Sequence, residues 1–183
     1  MTPAASRSAT PIANTETFDP ACPSVNPGDS ILLPISKVPS YLDAVIKALA
    51  LHIEARTSFL TLRILFTLPT HQRFRGGETD KDFLARFWLP DMPKYNYIAL
   101  RFVAKDAYEK AASLRIAPTP NVVTRVFMLF CGVAVGDLGL WEAASARADG
   151  ADGAFWADVV GVDAVRAADS KLFRALEWGG MEV

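Results

Sequence analysis

A chain of 183 residues has room for one ordinary domain with a single core. It is 51% hydrophobic with a net charge of −1, a balance that excludes the strongly basic surface a nucleic-acid binder uses. Two cysteines far apart, Cys22 and Cys131, exclude a disulfide-stapled secreted scaffold.

Residues 1–29 hold five of the twelve prolines (Pro3, Pro11, Pro20, Pro23, Pro27) among Ser, Thr and Ala. Such a segment buries too little apolar surface to offset its ordering entropy, so a disordered arm is predicted. Ser8 and Thr10, close before Pro11, would make the arm a docking or phosphorylation segment on a functional reading. The arm lacks the apolar core, about 7–15 residues long, of a secretory signal. The most apolar stretch, Val126–Gly136, has eleven residues, against roughly 20 for a membrane span. The expectation is a cytoplasmic protein with no membrane and no nucleic-acid partner.

Residues 30–183 read as one domain. Ile31–Ile35 is a short apolar strand that Pro34 assigns to a sheet edge. Ser40 and Asp43 resemble a capping box opening a helix, with Tyr41, Leu42, Val45, Ile46, Leu49 and Ile53 as one apolar stripe. Residues 97–104 alternate as a strand, Asp106–Leu114 is a short helix, and Ala117–Pro120 stops it. Val122–Cys131 is a second strand, apolar on both faces and therefore central. Leu140–Ala148 is helical and Asp149–Gly153 is a turn. Leu172, Arg174, Leu176 and Trp178 alternate as in a strand, in preference to a helix over 163–178 ended by Gly179 and Gly180. The whole is an α+β domain with a small, mainly antiparallel sheet and packed helices.

Chemistry-bearing groups are few. His52-Ile53-Glu54 matches half of a zinc deaminase motif, but the cysteine half is absent, and a histidine beside a helix C-terminus is the plainer reading. His52, His71, Cys22 and Cys131 are too scattered to supply three or four metal ligands. Arg73 and Arg75 are followed at once by Glu78, Asp80 and Asp82, which cancel their field. Asp106, Glu109 and Glu142 belong on solvated helix faces. One pattern stands out: Ala134-Val-Gly136-Asp137-Leu-Gly139 follows the central strand and precedes a helix, with Asp163 some two dozen residues on. Gly136, Gly139 and Asp163 are the candidate nucleotide-binding residues, on the pattern of a dinucleotide fingerprint. Ala134 replaces its first glycine, and Asp137 puts negative charge where a pyrophosphate would lie. No catalytic residue, metal or cofactor is otherwise indicated.

Leu51–Phe59, Phe87–Pro90, Tyr97–Phe102, Pro120–Phe130 and Leu176–Val183 together resemble the C-terminal region of a group of fungal (basidiomycete) proteins, chiefly from mushroom-forming species. No activity, cofactor or catalytic residue is established for that group, so the resemblance implies no function. Its members begin with a further β-rich region and run almost directly from the equivalent of Phe59 to that of Trp88. Here 28 residues, Leu60–Phe87, intervene. They read either as a retained intron or faulty gene model, or as a lineage-specific loop. An insertion of this kind should extend an existing helix or lie at the domain edge. The leading expectation is a non-enzymatic interaction domain or a part of a larger assembly, whose partner is a protein or the missing β-rich region. The alternative is a small-molecule or nucleotide-binding enzyme domain centred on 134–139.

Overall fold

The strand β3, Val122–Val133, organises the molecule. Its alternate residues Val126, Met128 and Phe130 are each 0% exposed, and Leu129 on the opposite face is equally inaccessible. A strand apolar on both faces must have cover on both, and helices lie on each side of the sheet. The structure is a computed structural model and describes residues 18–66 and 95–183, with 60–66 by backbone alone. Among these residues four strands run in the order β1 (Ile31–Pro34), β2 (Tyr97–Phe102), β3 and β4 (Arg174–Glu182). β1 pairs antiparallel with β2, from Ile31 opposite Leu100 to Pro34 opposite Tyr97, and β2 pairs antiparallel with β3, with Leu100 opposite Phe130. β4 pairs parallel with β3, from Val122 beside Arg174 to Phe130 beside Glu182.

The larger core lies between one sheet face and the helices α1 (Val38–Ala48), α2 (Ile53–Phe66) and α5 (Gly153–Val160). α1 buries Val38, Leu42, Val45 and Ile46 on one stripe, and Pro39 in its first turn uses a position whose N–H needs no partner. It closes with Leu51 N–H donating to Ile46 O at 3.2 Å, and Ala50 takes the left-handed φ of 61° between them. α5 starts where the Asp152 carboxylate accepts from the Ala154 and Phe155 amides at 2.9 and 3.0 Å. Gly161 ends it at φ 68°. α5 sits close on α1 because Gly153 has no side chain: a Cβ there would fall 2.5 Å from the Ala48 methyl. The fully buried Trp156 packs on Phe102 at 5.3 Å, and its indole N–H donates to Tyr41 Oη at 2.6 Å. Tyr41 in turn donates to the Ala151 carbonyl, so the hydroxyl spends both roles inside the core.

The opposite face is covered more thinly. A 3-10 helix, Val135–Trp141, and α4 (Glu142–Ala148) bring Leu138, Trp141 and Ala144 over Leu32, Ala99 and Val133. α3 (Lys105–Ala111) brings Ala107 and Tyr108 over Leu129 and Val103. The remaining cover comes from residues 18–29, which carry no helix or strand. Phe18 meets Tyr108 and Phe127 at 6.0 and 5.6 Å. Arg101, 3% exposed, donates to Ser24 O at 3.1 Å and lies 3.5 Å from the Asp29 carboxylate. Arg147 on α4 donates to Pro27 O at 3.1 Å and to Ser30 O.

The α+β class holds, with a mixed sheet: two pairings are antiparallel and one parallel. The helices between β3 and β4 form a crossover long enough to return the chain to the start of β3, which a parallel partner requires. Three expectations are corrected. The arm is not free of tertiary contacts over 18–29, because Phe18 and Val25 pack against the cluster of Val103, Ala107, Tyr108 and Leu129; residues 1–17 lie outside the described residues. Ser40 does not cap α1, which begins at Val38; its hydroxyl donates to Lys37 O at 3.1 Å. Ile53 is 60% exposed, because α1 has already ended and Ile53 opens α2 on another axis. Of Leu60–Phe87, residues 60–66 continue α2, and the rest lies outside the described residues.

Candidate functional site

The fingerprint residues are not brought together. Gly136 and Gly139 fall in the 3-10 helix after the C-terminal end of β3, and nothing lies within 4 Å of where their Cβ atoms would be. Asp163 sits at the other end of the strand. It caps α6 (Ala164–Ala168) by accepting from the Arg166 amide at 3.0 Å, and Arg166 reaches Asn121 O, just before β3, at 2.9 Å. A strand of this length separates its two ends by roughly 35 Å. The 3-10 helix also offers no α-helical N-terminus to a phosphate. Gly136, Gly139 and Asp163 are thus a turn and a helix cap, not one pocket.

The remaining motifs resolve as local structure. His52 stands before the N-terminus of α2, not at a helix C-terminus. Its Nδ1 lies 3.2 Å from the Ala55 amide and 3.0 Å from Glu54 Oε2, so one tautomer serves only one of these partners. His71, Arg73 and Arg75 lie outside the described residues. Among the described residues no three His, Cys, Asp or Glu side chains converge. Cys22 is exposed and Cys131 half-buried on β3. Burial, with the charges of Glu182 and Asp29, pushes the Cys131 thiol up to about 11, which leaves it a poor nucleophile at neutral pH.

One polar cluster is built across elements that sequence spacing does not connect. Arg125 on β3 donates to Glu177 on β4 at 2.5 Å and to Ala112 O at 2.6 Å, and its guanidinium carbon stands 4.3 Å above the Tyr108 ring. Tyr108 donates to the other Glu177 oxygen at 3.1 Å. Burial first, then Glu177, raises the Tyr108 phenol above its ordinary range. Each charged group has a partner, so the cluster is a clamp that fixes β4 on β3 and leaves no group idle for acid–base work. The alternation of β3 placed Arg125 on the face opposite Val126, but its partners come from elements 13 to 52 residues away.

What the clamp holds is an edge that is open among the described residues. The Val122 amide donates to Phe173 O at 3.2 Å, and the Val183 amide donates to Phe130 O at 3.0 Å. In a parallel ladder these bonds fix the parity of the strand. Odd-numbered residues of β4 bond to β3; Arg174, Leu176, Trp178, Gly180 and Glu182 turn their N–H and C=O groups outward. Among the described residues no strand lies beyond β4. The edge runs nine residues, contains neither proline nor lysine, and has two adjacent glycines. β1, at the other edge, has four residues and ends on Pro34. Short edges, proline and lysine are how sheets discourage further pairing, so one edge is blunted and the other is not. Leu176 and Trp178 pack toward the larger core, with Trp178 against Phe59 at 5.5 Å. No family model, curated protein or solved structure matches the chain.

Proposed function

We propose that this is a non-enzymatic interaction domain that joins another polypeptide by strand addition along β4. The observation that carries it is the unblunted outer row of N–H and C=O groups on Arg174–Glu182, held rigid by the Arg125–Glu177–Tyr108 clamp. Main-chain bonds supply affinity in this mode, and alternate side chains supply selectivity. The separation of Gly136 and Gly139 from Asp163 removes the geometric support for the nucleotide reading. The resemblance to the fungal group fits the same picture, since there the equivalent region is joined to further β-rich chain. We place the protein in the cytoplasm, where Cys22 and Cys131 would persist as thiols. No described helix is long and apolar enough to cross a membrane.

The test is co-purification of tagged wild-type chain against Gly180→Pro and Glu182→Pro, with thermal melting to confirm that both variants fold. Each changes an outward position without touching an amide that bonds to β3. The expected result is a polypeptide retained by wild type and lost from both variants. Equal retention by all three, or retention by none, overturns strand addition.

A further inference from the structure

The sequence of β4 is complementary to itself when reversed, and the centre of that complementarity coincides with the parity of its free backbone groups. We propose that the occupant of the β4 edge is a second copy of β4, paired antiparallel about a two-fold axis at Trp178; this rests on the strand-addition reading above. In that register Arg174 lies opposite the partner's Glu182, Ala175 opposite Met181, Leu176 opposite Gly180, and Glu177 opposite Gly179. The outward-facing residues Arg174, Leu176, Trp178, Gly180 and Glu182 then all fall on hydrogen-bonded pairs. Each such pair exchanges both N–H···O bonds, giving on the order of ten across the junction. A two-fold contact of this kind closes on itself, so the edge is consumed and no filament grows.

Charge selects the register. Moving the axis to Glu177 sets the two Glu177 carboxylates opposite each other and leaves Glu182 unpaired. Moving it to Gly179 sets Glu182 opposite Leu176 and leaves Arg174 unpaired. Only the axis at Trp178 pairs every charge at the strand ends with its opposite and every outward backbone group with a partner. Arg174 and Glu182 are exposed. Arg174 spends one guanidinium nitrogen on Ala167 O at 2.6 Å, which leaves it further donors for a carboxylate. Opposite charges placed directly across a ladder favour pairing, and like charges oppose it. Gly179 is roofed on one face by the Phe127 ring, 3.1 Å from where its Cβ would stand.

The experiment is sedimentation of the full chain across a concentration series, with Arg174→Glu, Glu182→Arg, the double reversal and Gly180→Pro alongside. Wild type should sediment as a dimer. Each single reversal should weaken association by roughly tenfold or more, because two symmetric attractions become two repulsions. The double reversal should restore it, a rescue that a merely unfolded variant would not show, and Gly180→Pro should give a folded monomer. A wild type that stays monomeric at its highest soluble concentration, or a dimer indifferent to all four changes, overturns self-pairing. If the monomeric chain still retains a different polypeptide that Gly180→Pro and Glu182→Pro both lose, self-pairing fails while strand addition stands. If it retains none, both fail.

Discussion

Phe130 shows how far a single position can be argued. Alternation along Val122–Cys131 assigned it to a buried face, and it is 0% exposed between β2 and the larger core. Phe130→Ala should cost about 3–5 kcal/mol, read from the midpoint of urea unfolding. Tyr41 was legible only in half: its place in the α1 stripe followed from helical spacing, but its bonds to Trp156 and Ala151 cross more than a hundred residues. Burial, more than the neighbouring Asp152 charge, raises its phenol well above the ordinary 10.0. The sign follows directly. The unfolded chain releases this proton near pH 10 while the folded chain keeps it, so stability is intact below that range and falls as pH rises through it. Tyr108 acts in the same direction. Stability should therefore decline steeply above about pH 10, and the Tyr41→Phe variant, though weaker at pH 7, should show a shallower decline in pH-dependent melting.

At the scale of elements, strands and apolar stripes were readable because their periods depend on near neighbours, whereas boundaries depended on how the chain leaves one element for the next. The turn from α1 to α2 is the clearest case. An apolar stripe from Tyr41 to Ile53 suggests one helix, yet the helix breaks at Ala50, which adopts φ 61° without being glycine. An L-residue in that conformation is strained, and glycine is the usual occupant of a helix end closed in this way. Ala50→Gly should raise stability by up to about 1 kcal/mol, checked by thermal and urea unfolding. A loss of stability would show that the turn is not left-handed in solution. The cap of α5 can be examined similarly: Asp152→Ala should cost about 1 kcal/mol, because it orphans the amides of Ala154 and Phe155. The residues of the candidate nucleotide site separate at this same scale. Gly136 and Asp163 have reasonable spacing along the chain, but the rest of the 3-10 helix, α4 and α5 between them carry the chain back past the whole of β3.

At the scale of the molecule, the second sheet face depends on the proline-rich arm. Composition marked residues 1–29 as a free tail, and composition cannot register that Phe18 has a place against Tyr108 and Phe127 or that Arg101 needs Ser24 and Asp29. A chain beginning at Thr17 keeps these contacts, and one beginning at Ser30 loses them. The shorter chain should be less stable by on the order of 3 kcal/mol, since a buried guanidinium gives up its carboxylate and two aromatic contacts open; differential scanning calorimetry of the two chains decides it.

The parallel seating of β4 also sets an order in time. β2 and β3 can zip outward from their connection, but β4 must travel back the length of β3 first, so Arg125 and Glu177, in register, are 52 residues apart. That loop closes against entropy before any of the nine registered pairs reward it. β4 should therefore dock after the rate-limiting step: Leu176→Ala should speed unfolding in stopped-flow measurements and leave the refolding rate nearly unchanged. Until it docks, the flank of β3 that carries Val122, Val126 and Met128 stands bare, and the yield of refolded protein should fall as chain concentration rises.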